Sequence, residues 1–125
     1  AYEMIWWMEF RRVLFRSENV LFNADLFLLT SEKESFGLSA LEAMASSVPV
    51  ISSNAGGLPD LVRNGFSGFT CEIGDVSSMA TKSLEILNEN NLKTFKVNAH
   101  KVACEYDINI IVPKYVDFYN SILSK

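Results

Sequence analysis

Two carboxylates, Glu34 and Glu42, stand eight positions apart in the stretch ESFGLSALE, with a Phe-Gly turn and a helix start between them. The first N–H groups of a helix lack intrahelical partners, and the helix dipole favours anions at that end. Carboxylates flanking such a start would oppose an anion, so their natural targets are donors, and sugar hydroxyls are donors. The amides of Phe36, Gly37, Leu38 and Ser39 lie at or before the first turn, and Gly37 has no side chain to block a close approach. A diphosphate accepting those N–H bonds gains a dipole contribution of roughly 0.3–1 kcal/mol, about 2 when partly buried. Glu34 precedes the helix and Glu42 lies about one turn into it. The pair can therefore bracket a ligand that is anionic in its middle and carries hydroxyls at both ends. A nucleotide diphosphate sugar, with ribose, pyrophosphate and hexose in that order, has this layout.

Structural roles compete for the same residues. Ser39-Ala-Leu-Glu42 and Ser31-Glu-Lys-Glu34 both fit a capping box, in which the glutamate reaches back to its own helix end. Phe36 taken alone reads as a core residue, and Gly56-Gly57 as a tight turn after a strand. Residue chemistry leaves both readings of the glutamates open.

The elements that would position them follow a regular order. DLFLLT (25–30) is an apolar run of strand length, and SEKESFG is a polar loop. LSALEAMAS places Leu38, Leu41, Met44 and Ala45 at helical spacing, which predicts an apolar stripe. VPVISS is a buried strand, and NAGGLPD turns into a short helix with Pro59 in its first turn. GFTCE is a third strand. Asp75 caps a helix running to about Leu87, with Met79, Ser83, Ile86 and Leu87 on one side. Further helices are predicted over about 91–105 and 108–123. Strand–helix alternation of this kind predicts an α/β domain with a parallel sheet, covering helices and right-handed crossovers. Ligands in such sheets bind beyond the carboxyl ends of the strands, where the Thr30–Ser39 loop falls.

The chain has 125 residues, 49% hydrophobic, with a net charge of −4. That is one domain's length, and the charge gives no reason to expect nucleic acid or an anionic membrane as partner. No apolar run approaches the ~20 residues of a membrane span. Cys71 and Cys104 lack CxxC spacing and a nearby histidine, so both read as reduced, partly buried thiols of a cytoplasmic protein. His100 reads as a surface residue, and no metal site or cofactor is expected.

The first 17 residues differ from the rest. AYEMIWWMEFRRVLFRS holds both tryptophans and three of the eleven basic residues. Its charges follow its apolar cluster, the reverse of a secretory signal. An amphipathic surface helix would fit, with Trp6, Trp7, Phe10 and Leu14 opposite Arg11, Arg12 and Arg16. A sharper reading is that Glu9–Ser17 is the translation of GAGTTCAGACGTGTGCTCTTCCGATCT, which resembles a sequencing-library adapter. On that reading residues 1–17 are non-native, the authentic sequence is visible from about Glu18, and 18–125 is a partial domain.

The assembled motifs carry a family resemblance. Ser31-x-x-Glu34-Ser-Phe-Gly-Leu, Leu-Glu42-Ala-Met-Ala, Val48-Pro-Val-Ile, Ala55-Gly-Gly-Leu-Pro-Asp60 and Asn64-Gly-x-x-Gly-Phe69 resemble the C-terminal domain of retaining GT-B glycosyltransferases of the family 4 type. Tyr106-Asp107 and Ile111-Val-Pro-x-Tyr115 are similar to that group's closing helix. SEKESFGLSALEAMA and VPVISSNAGGLPD are most similar to members that transfer N-acetylglucosamine from UDP-N-acetylglucosamine to L-malate. The resemblance implies a Rossmann-like half of a GT-B fold. Within it, Glu34 is the catalytic-site residue on the transferred sugar's hydroxyls. The Phe36, Gly37 and Leu38 amides, with Ser39 beside them, hold sugar and diphosphate, and Glu42 holds the ribose hydroxyls.

The implied chemistry is retention by front-face attack without a metal, the departing UDP being stabilised electrostatically. The donor is a UDP-sugar, and the small-molecule acceptor belongs to an N-terminal domain not present in these residues. A nucleotide-sugar epimerase of the same architecture and a non-catalytic nucleotide-sugar-binding module are the alternatives. The chain also departs from the pattern. The family's arginine and lysine for the diphosphate belong upstream of Glu18, Thr30 stands where proline is common, and Ser46-Ser47 replaces a Cys-Gly-like pair. Serine in a left-handed helix-ending position costs about 1 kcal/mol relative to glycine.

Overall fold

The β-branched run Val50–Ser53 becomes the central strand of a parallel three-stranded sheet. The computed structural model describes residues 17–124, so the adapter-like and surface-helix readings of residues 1–16 lie outside the described residues. The described elements are α1 (Ser17–Leu21), β1 (Phe27–Leu29), α2 (Leu38–Ala45), β2 (Val50–Ser53), α3 (Leu58–Leu61), β3 (Gly68–Cys71), α4 (Val76–Leu87), α5 (Glu89–Cys104) and α6 (Ile108–Leu123). The sheet order is β1-β2-β3, with Phe27 opposite Val50 and Val50 opposite Gly68. This is the expected α/β arrangement, with the three strands and helices α2 to α6 where the periodicity put them; α1 was not expected. Only the start of α5 moves, to Glu89, because Asn88 rather than a later residue accepts the cap bond from Asn90.

All four β2 residues are buried, and the alternation of the strand divides the core in two. On one face Val50 joins Ala40, Ala43 and Met44 of α2, Leu58 and Leu61 of α3, and Ala99 and Val102 of α5. On the other, Ile51, Phe69 and Cys71 pack against Met79 and Ile86 of α4 and Phe95 of α5. Helix α5 therefore serves both faces. Leu28, the register partner of Ile51, is 56% exposed, because α4 covers β2 and β3 and leaves the second face of β1 open.

Three expectations need correction. The buried stripe of α2 is Ala40, Ala43 and Met44; Leu38 and Ala45 are exposed and Leu41 half-buried. Small side chains let the helix approach the sheet closely, while Leu38 leans toward the helix start and solvent. Leu87 is exposed at the end of α4, where only Met79 and Ile86 are buried. Cys104 is exposed, at the last turn of α5, whereas Cys71 is buried as expected. Burial and the Asp75 carboxylate push the Cys71 thiol up, away from the reactive thiolate. Asp75 caps α4 as predicted, accepting from the Ser78 amide at 3.0 Å and the Ser78 hydroxyl at 2.6 Å.

Helices α2 and α6 contrast in how they are held. Helix α2 closes in a Schellman motif: the Val48 amide bonds the Ala43 carbonyl (2.9 Å) and the Ser47 amide the Met44 carbonyl (3.0 Å). Ser47 adopts φ +62°, the left-handed conformation expected for this position. Helix α6, capped by Asp107, has no buried residue. No helix among the described residues is long and apolar enough to cross a membrane.

Candidate functional site

The loop from Thr30 to Gly37 joins β1 to α2 at the carboxyl end of the sheet, where the sequence placed a ligand. Helix α2 starts at Leu38 with Gly37 as its N-cap, at φ +88° and ψ +46°, and no side chain caps it. A Cβ on Gly37 would also meet Leu58 Cδ2 at 2.5 Å. The left-handed backbone thus favours glycine, which also spares the Leu58 side chain of α3 a displacement and leaves the amides open to a ligand. The Leu41 amide is the first in the helix to find a carbonyl, that of Gly37 at 3.0 Å. The amides of Leu38, Ser39 and Ala40 precede it, in the positions where a helix has donors to spare.

This start removes the capping-box alternatives. Ser39 is the second residue of α2, not its N-cap, so Ser39 and Glu42 cannot make the reciprocal pair. Residues 31–34 are not helical. Glu42 is exposed, and its carboxylate makes no hydrogen bond or ion pair among the described residues. Glu34 is half-buried; its Oε1 accepts the Ser35 amide at 3.1 Å. Ser39 and Leu38 face solvent, and Phe36 is 38% exposed. The structure thus brings the loop glutamate, the open amides and the helix glutamate around one helix start.

What the sequence did not reveal is what holds this loop. Gly56 follows β2 at φ +54°, and a Cβ there would fall 1.6 Å from the Glu34 carbonyl oxygen. The neighbouring Gly57 amide donates to the Ser35 carbonyl at 3.0 Å. The Gly56-Gly57 turn is therefore a backbone buttress beneath Glu34. Adjacent glycines after a strand signal such an approach, but not which segment approaches. Ser53 ties the loop's start, its hydroxyl donating to the Ser31 carbonyl at 2.5 Å.

The loop's other flank is aromatic. The Phe36 ring stands edge-on to Tyr106, with centroids 5.7 Å apart. Next to Tyr106, Glu105 accepts both Arg63 guanidinium nitrogens, at 2.9 and 2.6 Å. That hydrogen bond holds the Glu105 carboxyl below its ordinary value. A separate cleft of about 410 Å³, lined by Ser47, Leu92, Lys93 and Lys96 among others, opens at the opposite end of α2 and shares no residue with the loop.

The sequence and fold resemble those of known proteins. The sequence profile of the glycosyl transferases group 1 family matches residues 12–102, a span reaching into the adapter-like segment. The N-acetyl-alpha-D-glucosaminyl L-malate synthase of Bacillus anthracis is 45% identical over 86 residues, covering 65% of this chain and 23% of that protein. Among solved structures, TarM superposes with a TM-score of 0.74 at 29% identity, over 84% of this chain and 22% of its own. The Anabaena protein HepE, solved in complex with UDP-glucose, superposes at 0.70 with 28% identity, over 82% of this chain and 29% of its own. The chain thus spans less than a third of the length of each of these relatives.

Proposed function

Because the chain belongs to the glycosyl transferases group 1 family, we propose that residues 18–125 are the donor-binding part of a retaining, UDP-sugar-dependent glycosyltransferase. The observation that carries this reading is the α2 start. Gly37 leaves the first-turn amides without a side-chain cap, and the Glu42 carboxylate one turn on is exposed and unpartnered among the described residues. HepE supports it as a structural relative that binds UDP-glucose. The likeness to the malate-acting synthase supports N-acetylglucosamine as the transferred sugar and L-malate as the acceptor.

In this reading the amides of Phe36, Gly37 and Leu38, with Ser39 beside them, receive the diphosphate and the sugar. A dianionic group there is favoured by the unpaired donors and the dipole together. Glu42 accepts from the ribose hydroxyls. Glu34, fixed by the Gly56 buttress, accepts from the transferred sugar and eases positive charge developing at the anomeric carbon. It does not form a covalent intermediate. The acceptor and the cations that neutralise the diphosphate come from the rest of the parent protein, so this chain alone binds donor without turning it over. Sequencing across the codons for Ser17 and Glu18 in source DNA tests the non-native reading of 1–17; finding the junction there would retire it.

Calorimetry with UDP and UDP-N-acetylglucosamine tests the site. Glu42→Ala should weaken both ligands by roughly 1.5–3 kcal/mol, the worth of charge-assisted hydrogen bonds. Glu34→Ala should weaken the sugar nucleotide and spare free UDP. Unchanged UDP affinity in Glu42→Ala would return that carboxylate to a solvated surface charge.

A further inference from the structure

Tyr106 sits at the joint between α5 and α6, far along the chain from the donor loop, yet it packs on that loop. Its ring meets Phe36 at an interplanar angle of 64°, an edge-to-face arrangement that aromatic quadrupoles favour. Its hydroxyl lies 3.5 Å from the Asp60 carbonyl of α3. The ring is half-buried against the core that includes Leu58 and Leu61. The joint itself is pinned to Arg63, just beyond α3, by the two-pronged Glu105 pair.

The donor loop is thereby held from two sides by different means. Gly56 and Gly57 meet its backbone at Glu34 and Ser35. On the other flank, Phe36 rests against Tyr106 and is otherwise 38% exposed. Phe36 immediately precedes the left-handed Gly37, so its ring is seated next to the turn that presents the first-turn amides.

We propose that Tyr106 is a positioning residue for the donor loop: its ring seats Phe36, and through Phe36 it fixes the Gly37 turn and the amides after it. The part of this inference that concerns UDP rests on the donor-binding role proposed for the loop. The part that concerns loop order does not. It also makes the α5–α6 joint a place from which a movement of α6 would reach the donor site.

The test uses the 125-residue chain and its Tyr106→Ala, Tyr106→Leu and Tyr106→Phe variants. Amide hydrogen exchange is measured at Gly57 and Leu41, whose N–H groups bond the loop carbonyls of Ser35 and Gly37. The β2 amides serve as an internal measure of global stability. Tyr106→Ala and Tyr106→Leu should accelerate exchange at Gly57 and Leu41 more than in β2. They should also raise the UDP dissociation constant by about two- to tenfold, the range an aromatic pair can supply. Tyr106→Phe should restore both. Loop amides that exchange as in the wild type, or only in step with β2, would overturn the proposal, as would a Phe variant behaving like Ala. A wild-type chain that fails to bind UDP while its loop still answers to Tyr106 would sink the donor reading and leave the positioning role standing. UDP binding untouched by every Tyr106 variant, with unaltered exchange, would do the reverse.

Discussion

The loop between β1 and α2 and helix α6 are opposites in how they are specified. The loop, Thr30 to Gly37, has no regular structure, yet it is anchored from beneath: Gly56 lies where no Cβ fits against the Glu34 carbonyl, and Leu58 closes on Gly37. Helix α6 is regular over 16 residues and capped by Asp107, yet Ile108, Tyr115, Val116, Phe118 and Tyr119 are all at least half exposed. The loop draws its conformation from residues 20 or more positions away, and α6 draws its conformation from itself. A binding site needs the first kind of order, because a ligand must find its donors already placed. A helix whose apolar side chains have no cover among the described residues has shape without a location.

Gly56→Ala breaks the loop's half of that comparison. The substitution puts a methyl group on the Glu34 carbonyl and asks an L-residue to hold φ +54°. The conformational strain alone is about 1–2 kcal/mol, and with the overlap the total should reach about 2–3 kcal/mol. Urea unfolding should show that loss, and UDP binding should fail even at denaturant-free conditions. A variant that keeps wild-type stability and UDP affinity would mean the loop is not pinned from below.

The same contrast explains what could be read from the sequence. The strands, the α4 cap at Asp75 and the extent of α6 were legible because each depends on neighbours in sequence: alternation, a side-chain cap, a helical period. The family resemblance pointed to Glu34, Gly37 and Glu42, which lie around the start of α2. The Gly56–Glu34 contact and the Phe36–Tyr106 pair were not legible, since both join segments that only the sheet topology brings together. The misplaced α2 stripe has a related cause. Periodicity marked Leu38 and Leu41 as core because they are large, while the tight approach of α2 to the sheet and α5 selected Ala40 and Ala43.

Ser47→Gly sharpens the comparison at the other end of α2, where sequence alone did anticipate strain. Ser47 holds φ +62° in a Schellman closure whose two hydrogen bonds need only backbone. Glycine there should stabilise the chain by about 1 kcal/mol, the left-handed penalty less glycine's greater freedom when unfolded. The urea midpoint should rise while UDP affinity stays fixed, because Ser47 lies at the far end of the helix from the loop. An unchanged or lower midpoint would show the serine hydroxyl compensating for the strain.

The smallest effect is expected where the exposed apolar surface is largest. Ending the chain after Asp107 removes α6, none of whose residues is buried, and leaves the Arg63–Glu105 pair and the Tyr106 ring in place. Its burial-derived contribution to folding should therefore be within about 0.5 kcal/mol of zero, the range of surface changes. The urea midpoint of the shortened chain should match the full chain at high dilution. Self-association, which a contiguous apolar face promotes, should fall, and sedimentation over a concentration series reads it directly. A midpoint that drops on removing α6 would show that the helix packs on the domain in solution. The joint at Tyr106 would then connect two docked bodies instead of a docked core and an uncovered helix, and the loop and α6 would cease to be opposites.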